Sequence, residues 1–238
     1  MVVMGHATDA EEEYLQTLYW LFEAGLPMTA ANLARAMQLS APTVSEMVGR
    51  LERDGYISRN TERVIRFTES GRDDAEQIVS RHRMIERFLT DIVGVPWDQV
   101  HEEAEHLEHA MTPRFEAYVR GSVAHANTCP HGHPIRVGER TSGVPLADCE
   151  PGAAVTILRF ENEAEDLLHY LKDSGLEPGL VGEVVEKDAE QITVAADGRT
   201  ATVTTSVAET VSVRAEPSPP ARVALPEQLV LARQRYGR

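Results

Sequence analysis

The sequence predicts an α+β chain of three parts: an N-terminal winged helix-turn-helix, a helical middle region and a C-terminal β-barrel of the SH3-like kind. Three observations predict it. Two short helical stretches joined by a capped turn are followed by two β-leaning runs with arginines between them, the pattern of a helix-turn-helix with its wing. Helical periodicity then dominates from Arg72 to Gly121. From Ala153 to Ala215 it gives way to short strand-like runs separated by turn residues.

The first helix spans Asp9 to Gly25, where Tyr14, Leu15, Leu18, Tyr19, Leu21 and Phe22 recur at helical spacing and Gly25 supplies the stop. Thr29 caps a short helix, Ala30 to Met37, with Leu33 inward. Ser40 caps the next, with Pro42 in its first turn and Val44, Met47, Val48 and Leu51 on its apolar face, up to Asp54-Gly55. Tyr56–Ser58 and Val64–Thr68 form a hairpin whose tip carries arginine. Thr68 caps a long helix that runs to Val93, buries Ile78, Ile85, Phe88, Leu89 and Ile92, and carries His82 and Glu86 at i, i+4. Pro96 opens another helix, Trp97 to Met111, and a further one runs from Pro113 to Gly121. Ser122 to Gly152, rich in glycine, proline and polar residues, reads as a connector. The strand-like runs are Ala154–Leu158, Val181–Val185, Gln191–Ala195, Thr200–Thr205 and Val211–Val213, with Asp197-Gly198 as a hairpin turn and Glu163–Ser174 as an inserted helix.

The 238 residues carry a formal net charge of −15 and are 42% hydrophobic, enough for folded cores and too much for a disordered chain. No apolar run approaches the ~20 residues of a membrane span, and the first charged residues are acidic, so neither a membrane segment nor a targeting segment is expected. Two cysteines, Cys129 and Cys149, fit a reducing cytoplasm. Acidic proteins are poor partners for polyanions, but one window differs. Between Pro27 and Arg72, Arg35, Arg50, Arg53, Arg59, Arg63, Arg66 and Arg72 outnumber Glu46, Glu52, Asp54, Glu62 and Glu69, so a nucleic-acid surface is expected there.

At about 100° per residue, His101, Glu105, Glu108 and His109 share one helical face, an arrangement of donors suited to a divalent metal. His82 with Glu86 alone would be an ordinary surface pair. Cys129, His131 and His133 have zinc-binding chemistry, but the glycines and prolines around them favour a turn. Glu103-x-x-His106 is a single motif, and a di-iron bundle needs two such helices plus two further glutamates. No serine or cysteine stands beside a base as a nucleophile would, so the chain is not expected to be an enzyme.

Ala41-Pro-Thr-Val-Ser45, Leu51-Glu-Arg-Asp-Gly55, Arg81-His-Arg83 with Glu86, Trp97-Asp-Gln-Val-His101, Glu108-His109 and Cys129-Pro-His-Gly occur in an order and spacing that resemble the metal-dependent repressors typified by the diphtheria toxin repressor and the manganese transport regulators. The resemblance covers about residues 10–215. It implies a winged-helix domain (1–72), a helical dimerisation and metal-binding domain (73–140) and an SH3-like, FeoA-like domain (153–215); composition marks a linker (141–152) between the last two and a tail (216–238). It also implies two metal sites. A regulatory site would use Glu13, Glu105, Glu108 and His109; a second would use His82, Glu86 and His101, completed by Glu161 or Glu163. Iron-responsive members resemble this chain less at two places, with methionine where Glu13 stands and cysteine where Glu105 stands; manganese-responsive members carry carboxylates at both. Gln16 stands where some manganese regulators have a second carboxylate, and Glu46 replaces an amide of the iron-type recognition helix.

The resulting expectation is a cytoplasmic, homodimeric repressor of metal-uptake genes, activated by Mn(II), with Fe(II) as runner-up and other divalent transition metals as substitutes. Its partner would be a palindromic double-stranded DNA operator holding one or two dimers. Ser40, Pro42, Thr43, Ser45 and Glu46 would approach bases or phosphates, and Arg50, Arg59, Arg63 and Arg66 would meet phosphates. A winged-helix regulator indifferent to metal would instead bind DNA in the presence of a chelator, and a carboxylate-bridged metal store would show iron turnover.

Overall fold

A computed structural model describes residues 7–136, 138 and 141–216. The predicted tail from Pro217 onward lies outside the described residues. The chain divides into two compact units. One comprises the described residues up to Ser142 together with Arg159–Asp173, the other Gly143–Leu158 with the described residues from Ser174.

In the first unit, α1 (Asp9–Glu23) begins where the Thr8 backbone N–H donates to the Glu11 carboxylate at 2.8 Å. Helices α2 (Ala30–Ala36) and α3 (Ala41–Arg53) start at Thr29 and Ser40, whose hydroxyls accept from Asn32 N and Thr43 N. Strands β1 (Ile57–Arg59) and β2 (Ile65–Phe67) pair antiparallel as the wing, with Ser58 opposite Arg66. Leu15, Leu18, Leu33, Val44, Val48, Leu51, Ile57 and Ile65 form one core with Ala75, Ile78 and Val79 of α4 (Glu69–Phe88). Helix α4, capped by Thr68, can pack this closely because Gly71 has no side chain: a Cβ there would lie 1.8 Å from the Tyr56 carbonyl oxygen.

Further along, α4 presents Met84 and Ile85 to two smaller apolar clusters with α5 (Val100–Glu108) and α6 (Pro113–Ser122). The same 20-residue helix therefore serves both the winged-helix core and the helical region that follows it. The predicted helix does not continue regularly to Val93. Leu89–Val93 widens into a π-helical turn closed by Gly94 at φ 87°, and this turns Ile92 outward, 56% exposed. Trp97–Gln99 is likewise a turn rather than the first helical residues, so α5 starts at Val100.

The second unit is built on a six-stranded sheet ordered β3-β8-β4-β5-β6-β7. Its strands are β3 (Val144–Pro145), β4 (Ala154–Phe160), β5 (Val181–Lys187), β6 (Gln191–Ala196), β7 (Arg199–Thr204) and β8 (Val211–Glu216). Asp197-Gly198, both at positive φ, turn β6 into β7 as the sequence predicts. Two boundaries differ from expectation. The supposed linker contributes β3, paired with β8, and buries Leu146 and Cys149. The inserted helix α7 (Glu165–Asp173) belongs to the helical unit, together with the last two residues of β4.

Candidate metal centre

Helix α4 delivers His82 and Glu86 one turn apart, both fully buried. Helix α5 delivers His101, the turn after Thr128 delivers His131, and the segment before α7 delivers Glu163. Glu86 Oε1 lies 3.1 Å from His82 Nε2, 3.0 Å from His101 Nδ1 and 3.2 Å from His131 Nδ1. Glu163 Oε2 lies 3.1 Å from His101 Nδ1. His82, Glu86, His101 and Glu163 can each direct a ligand atom to within 4.8 Å of the others, and so can Glu86, Cys129 and His131. Ligands about 2.1 Å from one ion are separated by up to about 4.2 Å, so a small contraction would bring the donors of either set onto one divalent ion.

The outer contacts suit that purpose. His131 Nε2 is 2.7 Å from the Trp97 carbonyl, to which it donates, leaving the Nδ1 lone pair turned inward. His82 Nδ1 is 3.0 Å from Glu108 Oε2, which directs Nε2 inward in the same way. Metal-bound histidines characteristically donate their second nitrogen to a carbonyl or carboxylate. Among the described residues, Glu86 Oε2 is buried without a hydrogen-bond partner, which leaves a spare acceptor in the cluster. The residues fit a bound divalent metal.

Without metal, the cluster balances its own charge. Burial opposes the imidazolium of His82, but Glu86 and Glu108 outweigh it and raise the ring to about 9. Burial likewise opposes charge on His101, yet Glu163 and Glu86 carry it to about 10. His131 moves well above its ordinary value for the same reason. Burial and Glu86 push Glu163 upward, but the surrounding imidazoles prevail and hold it at about 2. Burial raises the Cys129 thiol to about 11, so it stays protonated until a metal displaces the proton.

The sequence-level second site is thus assembled, with one selection and one addition. Glu163 is the carboxylate that joins it, whereas Glu161 accepts from Arg159 Nε at 2.8 Å. Cys129 and His131, read from local composition as a turn, do form one: Gly132 N donates to the Cys129 carbonyl at 3.0 Å. They are also buried against Glu86, which no local pattern reveals; the signal available was Cys-x-His itself. His133 stands one step outside, with Nε2 2.7 Å from the Phe160 carbonyl and 3.3 Å from Glu163.

The regulatory set is assembled only in part. His109 Nε2 lies 3.5 Å from Glu108 Oε1, and its buried Nδ1 has no hydrogen-bond partner among the described residues. Helix α1 turns Glu12 toward it, at 3.6 Å, while Glu13 points to solvent. Glu105 is also exposed and stands nearer His101 Nε2, at 3.6 Å, one turn back along α5. The face predicted from periodicity therefore splits, and Glu13 and Glu105 are not gathered with His109. Glu108 joins the two clusters, one oxygen on His82 and the other toward His109. Gln16 is buried with an unpartnered Nε2.

On α3, Val44, Val48 and Leu51 face the core, which leaves Ser40, Pro42, Thr43, Ser45 and Glu46 exposed along one side. The predicted phosphate arginines divide into two pairs. Arg50 holds the buried Glu11 at 2.9 Å and Arg59 pairs with Glu52. Arg63, at φ 61° in the wing, and Arg66 are exposed with no ion pair recorded among the described residues. Arg63→Ala and Arg66→Ala are each expected to weaken binding to every duplex alike and to lower the salt slope by about 1, with a smaller effect for Arg50→Ala. Titrations at several salt concentrations check this; an unchanged slope would remove the wing from the interface.

No helix among the described residues is long and apolar enough to cross a membrane. Residues 6–64 match the model of the iron-dependent repressor N-terminal DNA-binding domain, 68–136 that of the iron-dependent repressor metal-binding and dimerisation domain, and 144–215 that of the FeoA domain. The chain is 37% identical over 143 residues to the diphtheria toxin repressor of Corynebacterium jeikeium, an alignment spanning 60% of each protein. It is 34% identical over 191 residues to the iron-dependent repressor IdeR of Mycobacterium tuberculosis, covering 74% of this chain and 83% of that one. Among solved structures, a manganese-dependent transcriptional repressor in complex with manganese superposes with a TM-score of 0.76 at 28% identity, over 87% of this chain and all of that one.

Proposed function

We propose that this chain, which belongs to the diphtheria toxin repressor family of metal-dependent transcriptional repressors, is activated by Mn(II) and as a homodimer shuts off metal-uptake genes from a palindromic operator in the cytoplasm. The observation that carries this reading is the double duty of α1. Its Leu15 and Leu18 belong to the winged-helix core, and its acidic end faces His109. Glu108 and His109 would hold a divalent cation there, and its charge would offset the repulsion among the neighbouring carboxylates. Glu12 already faces the site, and Glu13 and Glu105 are exposed side chains that swing to complete it. Metal thereby ties α1, and with it the recognition helix α3, to the dimerising region. A two-fold operator is read by two recognition helices at one separation, so fixing that separation strengthens binding. Two dimers share one operator only where half-sites repeat at the matching helical spacing.

The donor chemistry supports Mn(II) at the regulatory set, which is oxygen with a single imidazole. The buried cluster differs: its imidazoles and the Cys129 thiol suit a softer ion in an ancillary role. That second donor set favours the one competing reading, Fe(II) as the physiological activator. Operator titrations at buffered free Mn(II), Fe(II), Co(II) and Zn(II) separate the two. Mn(II) activation at concentrations where Fe(II) leaves the chain inactive is expected; the reverse order would transfer the role to iron.

A further inference from the structure

We propose that Asp98 is a positioning residue for the buried cluster: its carboxylate pins the helix that follows Glu163 to the corner from which the helix carrying His101 begins. The inference rests on the cluster being a metal site. Asp98 is 3% exposed, lies in the turn before α5 and stands three residues ahead of His101. An ionised carboxylate at that depth is costly unless it is paired. Both partners come from one face of α7: Lys172 Nζ is 2.5 Å from Oδ1, and His169 Nε2 is 3.3 Å from Oδ2. Lys172 is one of only two lysines in the chain, the other being Lys187.

Helix α7 begins two residues after Glu163. Holding its far end to Asp98 therefore limits where the Glu163 carboxylate can reach. The neighbouring residue extends the same corner. The Trp97 carbonyl receives His131 Nε2 at 2.7 Å, and its ring packs on Phe160 with centroids 5.6 Å apart. The Trp97-Asp98 corner thus contacts or begins the segments that supply His101, His131 and Glu163, while α4 supplies His82 and Glu86. A ligand held in place before the ion arrives loses less freedom on binding it, and outer partners of metal ligands are typically worth about 10–100-fold in affinity.

The test is Co(II) titration of the metal-free full chain, read by visible absorption, in a His109→Ala background that silences the regulatory set. Asp98→Asn and Lys172→Met are each expected to weaken Co(II) by about 10–100-fold, while Lys172→Arg stays near the parent. Lys172 is partly exposed, so its replacement keeps the test open should Asp98→Asn fold poorly. Because Asp98 acts through Glu163, Asp98→Asn should cost no more than about 3-fold when added to Glu163→Gln. A full additional loss on that background, or Asp98→Asn and Lys172→Met both within about 3-fold of the parent, would overturn the assignment. A His82→Ala, Glu86→Ala double variant that still binds Co(II) like its parent would instead overturn the metal site itself.

Discussion

Glu86→Gln should lose about 100-fold or more in divalent-metal affinity at the buried cluster and about 3–5 kcal/mol of stability in the metal-free chain. Glu86 is the carboxylate common to His82, His101 and His131, within 3.2 Å of each. Removing its charge leaves buried imidazoliums without the partner that raises them. The pH dependence carries a definite sign. His82 and His101, raised from 6.5 to about 9 and about 10, contribute stability that is complete below pH 6.5 and lost as pH rises through 9 to 10. Glu163, lowered from 4.5 to about 2, contributes stability present above pH 4.5 and lost as pH falls through about 2. Denaturant unfolding of the chelated chain between about pH 6 and about pH 10 should show an alkaline decline that Glu86→Gln flattens. An identical decline in the variant would contradict the charge balance described here. Because the rings must lose their protons to bind metal, loading at neutral pH should also release protons.

The second large effect is expected from Glu105→Ala combined with His109→Ala. Coupling between two allosteric sites is typically a free energy of about 1–3 kcal/mol, or about 5–150-fold in affinity, and the double variant should lose all of the coupling between metal and DNA while its metal-free DNA affinity stays that of the parent. The buried cluster lies on other residues, so this variant should still bind metal there. Glu108 is a poorer choice for the experiment, since its second oxygen also holds His82 and its loss would disturb both clusters. A double variant that retained the parent's metal response would place the regulatory site elsewhere.

Much of the fold is legible in the sequence because local chemistry decides it. Thr29, Ser40 and Thr68 are caps in the structure as in the sequence, Asp197-Gly198 makes its hairpin, and the inward faces of α1 and α3 follow from spacing alone. The errors arise where long-range packing decides. Trp97–Gln99 has no helix breaker, yet the Trp97 carbonyl is engaged by His131 and the Asp98 carboxylate by α7, and helix starts only afterwards. Ile92 fits the helical period, but the π-helical turn shifts it outward. Cys129 and His131 sit in a turn whose burial comes from α4 and Phe160, residues distant in sequence. His82, Glu86 and His101 are recognisable through resemblance, whereas the choice of Glu163 over Glu161 depends on Arg159, which claims the latter. The regulatory set is the least legible part: ideal periodicity places Glu105 and His109 together, but the exposed Glu105 carboxylate lies toward His101, and Glu12 rather than Glu13 faces His109.

The central claim is that metal bound by the helical region controls DNA binding by the winged helix. It is tested most directly by measuring the affinity of the purified full chain for an operator selected from random duplexes, with Mn(II) and with chelator, at constant ionic strength. Affinity about 5–150-fold tighter with Mn(II), reversed by chelation, is expected. Equal affinity in both conditions would contradict it.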